Sequence, residues 1–367
     1  MEDERPVRIG VLGCGNVGAA LIGLIGENAA SIATRSGVRL EVARVAVQSL
    51  SRPRDVDLRP GVLTDDPKGV VTDPEIDVVV EVMGGTEPAR TLVLTALESG
   101  KPVVTANKEL LASSGAELLQ AAAMAGTDLL YEAAVAGAIP LIRPLRESLA
   151  GDRITRVMGI VNGTTNFILT RMSESGQSFA DALGEAQSLG YAERDPTADV
   201  EGYDAAAKAA VIASVAFGAR VVADDVYCEG ITGITPEDIA MAARLGYVVK
   251  LLAIIDAFAG DEVAVRVHPA MVPLEHPLAA VRDSFNAVFV EGAAAGELMF
   301  YGRGAGGRPT ASAVLGDLVD AALNLRHERV ASVTRTAAIR IKPIDELSSQ
   351  YYLTIDVVDR PGVLEKV

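Results

Sequence analysis

Tryptophan is missing from all 367 residues, and the only other aromatics are eight tyrosines and seven phenylalanines. A core without large rings must be built from small and branched aliphatic side chains, which suits packed helices and parallel strands better than a sandwich. Only two cysteines occur, Cys14 and Cys228. Two thiols cannot form a disulfide framework, and no Cys/His cluster has zinc spacing, so a reducing compartment is expected. The three histidines, His268, His276 and His327, form no recognisable triad. Positive charge is also scarce. With 33 Lys and Arg against 49 Asp and Glu, the net charge of −16 argues against nucleic acid and anionic membranes as partners. The acidic opening "MEDERPVRIG" does not read as a signal peptide. A cytoplasmic location is expected.

Residues 9–26 are uncharged, long enough to attract attention as a membrane span. They contain six glycines and Asn16, however, and read better as strand, turn and helix. "VRIGVL" is a short apolar strand, Gly13, Gly15 and Gly18 give G-x-G-x-x-G, and a helix follows. In that context the first glycine permits the tight turn, the second admits a diphosphate, and the third lets helix and strand pack closely. Further strand-like runs at 40–47, 77–83, 102–107 and 128–135 alternate with helical stretches at 88–99 and 109–126. This alternation predicts an α/β fold with a doubly wound parallel sheet. Ligands bind such sheets at the carboxyl ends of the strands, near Gly84-Gly85, Asn107-Lys108 and Glu132. The second strand ends at Gln48-Ser49 rather than at a carboxylate, and "SRPR" supplies Arg52 and Arg54. Arginines there suit a 2′-phosphate, so NADP is expected, with NAD the alternative; ordinary surface arginines are the plain reading.

Beyond Glu132 the pattern becomes α+β. "RITRVMGIVNGTTNFILTRM" predicts a strand, an Asn-Gly turn and a helix capped by Thr164 or Thr165. An amphipathic helix follows and stops at Gly190. Then comes "GYAERDPTADVEGYDAAAKAA", with Glu193, Asp195, Asp199, Glu201 and Asp204 ahead of the single amine Lys208. On charge pattern alone this is a solvated acidic loop before a helix. Asp204 and Lys208 are four apart and share a helix face, which by itself is an ordinary exposed ion pair. "GRGAGGRPTASAVLGDLVDAAL" is a second glycine-rich loop entering a helix, with Pro309 in its first turn and Thr310 or Ser312 available as caps. Three divisions are expected: a nucleotide-binding domain over 1–131 joined by a helix over 308–340, an α+β substrate domain over 132–307, for which the resemblance given below implies catalysis and dimerisation, and a segment over 348–367.

Together "GCGNVG", "DVVVEVMGG", "GKPVVTANKELLA", "YEAAVAGAIPLI", "VNGTTNFIL", "LGYAERDPTADVEGYDAAAK" and "YGRGAGGRPTASAVLGD" resemble homoserine dehydrogenases, in that family's order and over nearly the whole chain. The tail "LTIDVVDRPGVLEKV" resembles the start of an ACT domain, incomplete here. The resemblance implies a Rossmann domain with an α+β catalytic domain, and NAD(P)H-dependent interconversion of L-aspartate 4-semialdehyde and L-homoserine on the route to threonine, methionine and isoleucine. It implies that Lys208 is the proton donor, with Lys108 the second lysine of the site. Glu193 and Asp204 would bind the amino end of homoserine. The cofactor would contact Gly13, Gly15, Asn16, Val17, Gly18, Lys108, Gly190 and Gly304. A structural monovalent cation, sodium in the family, would rest on the Glu132 side chain and the carbonyls of Val135, Gly137 and Ile139. A homodimer or homotetramer is also implied.

Two rivals are open to test. A semialdehyde dehydrogenase working through an acyl-thioester needs an activated cysteine. A non-catalytic sensor on a Rossmann fold needs no lysine–carboxylate set.

Overall fold

The computed structural model describes residues 5–330 and 339–355. The chain opens with β1 (Val7–Leu12), α1 (Asn16–Ser36), β2 (Leu40–Ala46), β3 (Leu63–Thr64) and α2 (Pro67–Thr72). It continues with β4 (Val78–Glu81), α3 (Ala89–Glu98), β5 (Val103–Thr105), α4 (Lys108–Ala125) and β6 (Leu129–Leu130). All six strands are parallel, in the order β3-β2-β1-β4-β5-β6. That is the dinucleotide-binding order, and its reversal between β1 and β4 opens a crevice at their carboxyl ends. The strands are nearly continuous apolar runs because helices cover both faces; Val78, Val79 and Val80 are all fully buried.

The uncharged stretch at 9–26 is thus strand, turn and helix. α1 is long and apolar enough to cross a membrane by length and composition, yet Leu21, Ile22, Leu24 and Ile25 pack into the sheet's core. The run at 128–135 yields only the two residues of β6. Glu132 then opens a 3₁₀ turn, and its carboxylate accepts the amides of Leu141, Ile142 and Arg143. Closing that loop ends the strand.

The second half contains β7 (Ile154–Ile160), α5 (Gly163–Ser175), α6 (Phe179–Ser188), α7 (Thr197–Val200), α8 (Tyr203–Phe217), β8 (Tyr227–Cys228) and α9 (Pro236–Arg244). β9 (Tyr247–Phe258), β10 (Glu262–Pro273), β11 (Phe285–Gly292), β12 (Gly296–Arg303), α10 (Gly307–Arg326) and β13 (Arg340–Ile341) complete it. Its mixed sheet runs β12-β11-β7-β9-β10-β13, with β8 also paired to β10. α8 is apolar nearly all round, "YDAAAKAAVIASVAF", because it is buried between α4 and strands β9 and β10. This single helix therefore faces both halves of the molecule.

Three details differ from the sequence expectations. α5 is capped by Asn162, whose side chain accepts the Thr165 amide at 2.8 Å, rather than by Thr164 or Thr165. α10 begins at Gly307, with Gly306 at the cap position and no side-chain cap from Thr310 or Ser312. It ends at Arg326 rather than 340, and Ala311, Val314 and Leu318 pack with α1 in the nucleotide-domain core. The proposed ACT start lies outside the described residues from 356 onward; 348–355 carry no assigned strand.

Candidate active site

The glycine-rich turn joins β1 to α1. Gly13 has φ +101, and a Cβ there would lie 2.8 Å from the Val82 carbonyl oxygen. A Cβ on Gly18 would strike the Gly13 carbonyl oxygen at 2.3 Å, so both positions admit only glycine. Gly15 faces open space and caps α1 without a side-chain bond, leaving the first amides of the helix free. α10 likewise starts without a side-chain cap, and a Cβ on Gly307 would come within 3.0 Å of the Asn16 carbonyl oxygen. Two uncapped helix N-termini thus converge at Asn16 and Val17, an arrangement that fits a diphosphate. Beside the turn, Arg54 donates to the carbonyls of Arg52 and Ser49, and its charge is felt at Cys14.

The crevice itself has a volume of about 230 Å³. Its walls include Gly84 and Gly85 after β4, Asn107 and Lys108 at the start of α4, Gly137 and Gly304 from the loops, and Lys208 from α8. Buried Glu81 ends β4 and shapes the first wall, accepting the Met83 amide at 2.8 Å and the Thr105 hydroxyl at 2.6 Å. Asn107 caps α4 and donates to the Gly85 carbonyl at 2.7 Å. Lys108 is consequently fixed as the first residue of its helix.

Asp204, only 7% exposed in the first turn of α8, stands between the two lysines. Its Oδ1 accepts from Lys108 and its Oδ2 from Lys208 at 2.7 Å. Lys208 Nζ also donates to the Val161 carbonyl at 2.8 Å. Asn162 donates to Asp204 at 2.9 Å and to Asp199 at 2.6 Å. Burial would raise the Asp204 carboxyl, but the charges of Lys208 and Lys108 outweigh it and hold the group well below the usual carboxylate range. Burial would lower Lys108, but Asp204 overrides it and lifts the amine above its ordinary value. Both cysteine thiols are pushed up by burial, and Cys228 donates to the Glu201 carbonyl. Neither is the activated thiolate that an acyl-thioester mechanism needs.

The structure gathers Lys108, Lys208 and Asp204 at one crevice, with Gly304 on its wall and Gly13, Gly15, Asn16, Val17 and Gly18 at the glycine-rich turn. Glu193 is not gathered: its side chain is exposed, and its main-chain carbonyl accepts from Gln187 at 3.0 Å. Gly190, with φ +75, follows the end of α6 and does not line the crevice. Sequence reading missed Asn162 and Glu81. The "VNG" triplet carried the first, as an Asx residue before a helix; only the fold reveals the second.

At the 132–139 segment, the Glu132 carboxylate receives three amides, leaving one of its roughly four lone-pair positions open. Among the described residues no N–H is directed at the carbonyls of Val135, Gly137 or Ile139. Three free carbonyls suit a hard monovalent cation, with the carboxylate able to add one ligand.

Residues 140–319 match the family model described as homoserine dehydrogenase, and residues 13–132 match the model described as homoserine dehydrogenase, NAD binding domain. The homoserine dehydrogenase of Mycobacterium tuberculosis (strain ATCC 25618 / H37Rv) is 54% identical over 370 residues, covering 100% of this chain and 83% of that relative. That of Corynebacterium glutamicum is 53% identical, covering 98% of this chain and 82% of the relative. Among solved structures, the homoserine dehydrogenase from Thiobacillus denitrificans aligns with a TM-score of 0.89 at 45% identity, over 94% of this chain and 81% of that one. A hyperthermophilic archaeal homoserine dehydrogenase in complex with NADPH aligns with a TM-score of 0.74 at 30% identity, over 87% of this chain and 98% of that one.

Proposed function

Since this chain belongs to the homoserine dehydrogenase family and is an NAD(P)-dependent oxidoreductase, we propose that Lys208 is its proton donor in the reversible reduction of L-aspartate 4-semialdehyde to L-homoserine. The observation that carries this reading is Asp204, held as an anion between two amines at the mouth of the nucleotide crevice.

The reduced nicotinamide, when bound, supplies the hydride. The chain must then protonate the alkoxide formed on the former carbonyl carbon. An alkoxide is far more basic than an alkylamine, so an ammonium within reach is a competent acid. Asp204 keeps a positive charge near the developing oxyanion and orients the amine through one fixed hydrogen bond. In the reverse direction the neutral amine takes the hydroxyl proton. Lys108 stands on the nucleotide side of Asp204 and adds a second cation facing the developing charge. For the α-ammonium of the substrate we assign Asp204 and, from the exposed side of its loop, Glu193. Consumption of NADPH with aspartate semialdehyde tests the reading; no turnover by the folded protein would refute it.

We infer NADP rather than NAD, on the strength of Arg52 and Arg54 where a carboxylate would bind a free ribose hydroxyl. Nucleotide contacts are assigned to Gly13, Gly15, Asn16, Val17, Gly18, Lys108 and Gly304, with Gly190 at the edge. A monovalent cation, sodium in our reading, would sit on the carbonyls of Val135, Gly137 and Ile139 and on Glu132. There it would brace the crevice wall without touching the substrate. We also infer a homodimer or homotetramer, in a cytoplasmic biosynthetic setting. The edge strand β12, carrying exposed Met299 and Tyr301, supports self-association, and light scattering tests it.

A further inference from the structure

Asn286 lies on β11 opposite Gly302 of β12 and is fully buried. Neither Nδ2 nor Oδ1 of its amide has a hydrogen-bond partner. An unpaired primary amide on a core strand is costly, and an aliphatic side chain would be cheaper there. Such a group calls for a reason.

Its neighbour is the loop that leads into α10. A Cβ on Gly304 would lie 2.1 Å from both Cγ and Nδ2 of Asn286 and 2.4 Å from Oδ1. Nearly equal distances to three amide atoms mean that the flat face of the amide rests on the Gly304 Cα. A Cβ on Gly137 would lie 2.4 Å from the Gly304 carbonyl oxygen. Gly304 therefore packs closely against both Asn286 and Gly137. Both glycines line the crevice, and Asn286 stands one layer behind them. β11 pairs on both sides, with β7 and β12, so the amide is mounted on a rigid strand.

We infer that Asn286 is a positioning residue for the nucleotide: as the dinucleotide seats, the Gly304 loop slides across the amide face until a flanking peptide group meets the amide's edge, and the other edge of that peptide faces the bound dinucleotide. The inference rests on the crevice being the nucleotide site. A ligand can shift such an equilibrium only by favouring one form, and the unmet amide supplies that difference on the protein's side. The glycines at 304, 306 and 307 leave the loop free to turn.

The near-isosteric Asn286→Leu substitution separates positioning from packing. The variant without nucleotide should melt at the same or a higher temperature than wild type, because an unpaired amide has gone. Its Kd for NADPH, followed by fluorescence titration, should weaken roughly 3- to 10-fold, the worth of one hydrogen bond. KM for homoserine at saturating nucleotide should stay within about twofold, because Asn286 reaches the substrate pocket only through the loop. An unchanged Kd for NADPH would overturn the inference. So would a weakened Kd accompanied by a clear fall in melting temperature, the mark of a packing defect. Should the leucine variant not fold, Asn286→Ser is read against the same outcomes. Failure of the wild-type protein to bind NADPH would refute the crevice assignment instead, a result distinct from any difference between variants.

Discussion

Lys108 and Asp204 are 96 positions apart, yet the amine of the first, at the start of α4, is hydrogen-bonded to the carboxylate of the second in α8. The pair joins the nucleotide-binding half to the substrate half at the crevice. The other carboxylate oxygen holds Lys208 at 2.7 Å, so one anion sets the place of two cations.

Lys208→Ala should abolish most turnover while leaving nucleotide binding intact, because Lys208 is assigned to the proton and not to the dinucleotide. Loss of a general acid typically lowers the rate by about 10²–10⁴. The check is kcat beside a Kd for NADPH. A kcat within a few-fold of wild type would move the proton to another group.

Asp204→Asn removes the charge that both lysines face. The folded-state pKa of Asp204 is depressed, so its contribution to stability is complete above the unfolded value of roughly 3.9 and is lost as pH falls through the folded value. The stability difference between wild type and Asp204→Asn should therefore be constant near neutrality and shrink as pH drops below about 4. Denaturant titrations at several acidic pH values measure it. A difference that does not change with pH would mean that Asp204 is not the anion of the cluster.

Lys250 is also shifted downward, but by burial rather than by paired charge. It is 2% exposed on β9, donating to Asn166 at 3.0 Å and to the Val281 carbonyl. Burial lowers its pKa to about 8. Between that value and the unfolded value of roughly 10.4 the unfolded chain binds more protons, so stability should rise with pH across this window. Relative to Lys250→Met, the wild-type protein should gain about 2 kcal/mol from pH 8 to pH 10. Equal slopes for the two proteins would show that the buried amine keeps its proton as firmly as it does in the unfolded chain.

Glu193→Gln should raise KM for homoserine about tenfold with little change in kcat, the loss of one charge-assisted hydrogen bond to the substrate ammonium. An unaltered KM would return Glu193 to the solvated loop in which the structure finds it.

The nucleotide half was legible because each signal was local. Gly13, Gly15 and Gly18 follow a strand and precede a helix, and the short β-branched run Val78–Val80 reads as a strand buried on both faces. The lysine–carboxylate site was legible only through family resemblance, since Asp204 and Lys208 alone look like an exposed ion pair. Their burial follows from α8 packing against both α4 and the second sheet, a tertiary fact with no local signature. Asn162 took the cap assigned to the threonines because its amide can bind the Thr165 amide and two carboxylates together. Glu132 shows the same limit: a carboxylate ending a strand turned out to hold three amides nine to eleven positions ahead.

The most direct test follows NADPH consumption with L-aspartate 4-semialdehyde by the wild-type protein and by Lys208→Ala side by side, each shown to be saturated with nucleotide. The account predicts steady oxidation of NADPH with formation of homoserine by the wild type, and a rate lower by at least about 10² in the variant. Equal rates in the two proteins, or no oxidation by a folded, nucleotide-saturated wild type, would contradict it.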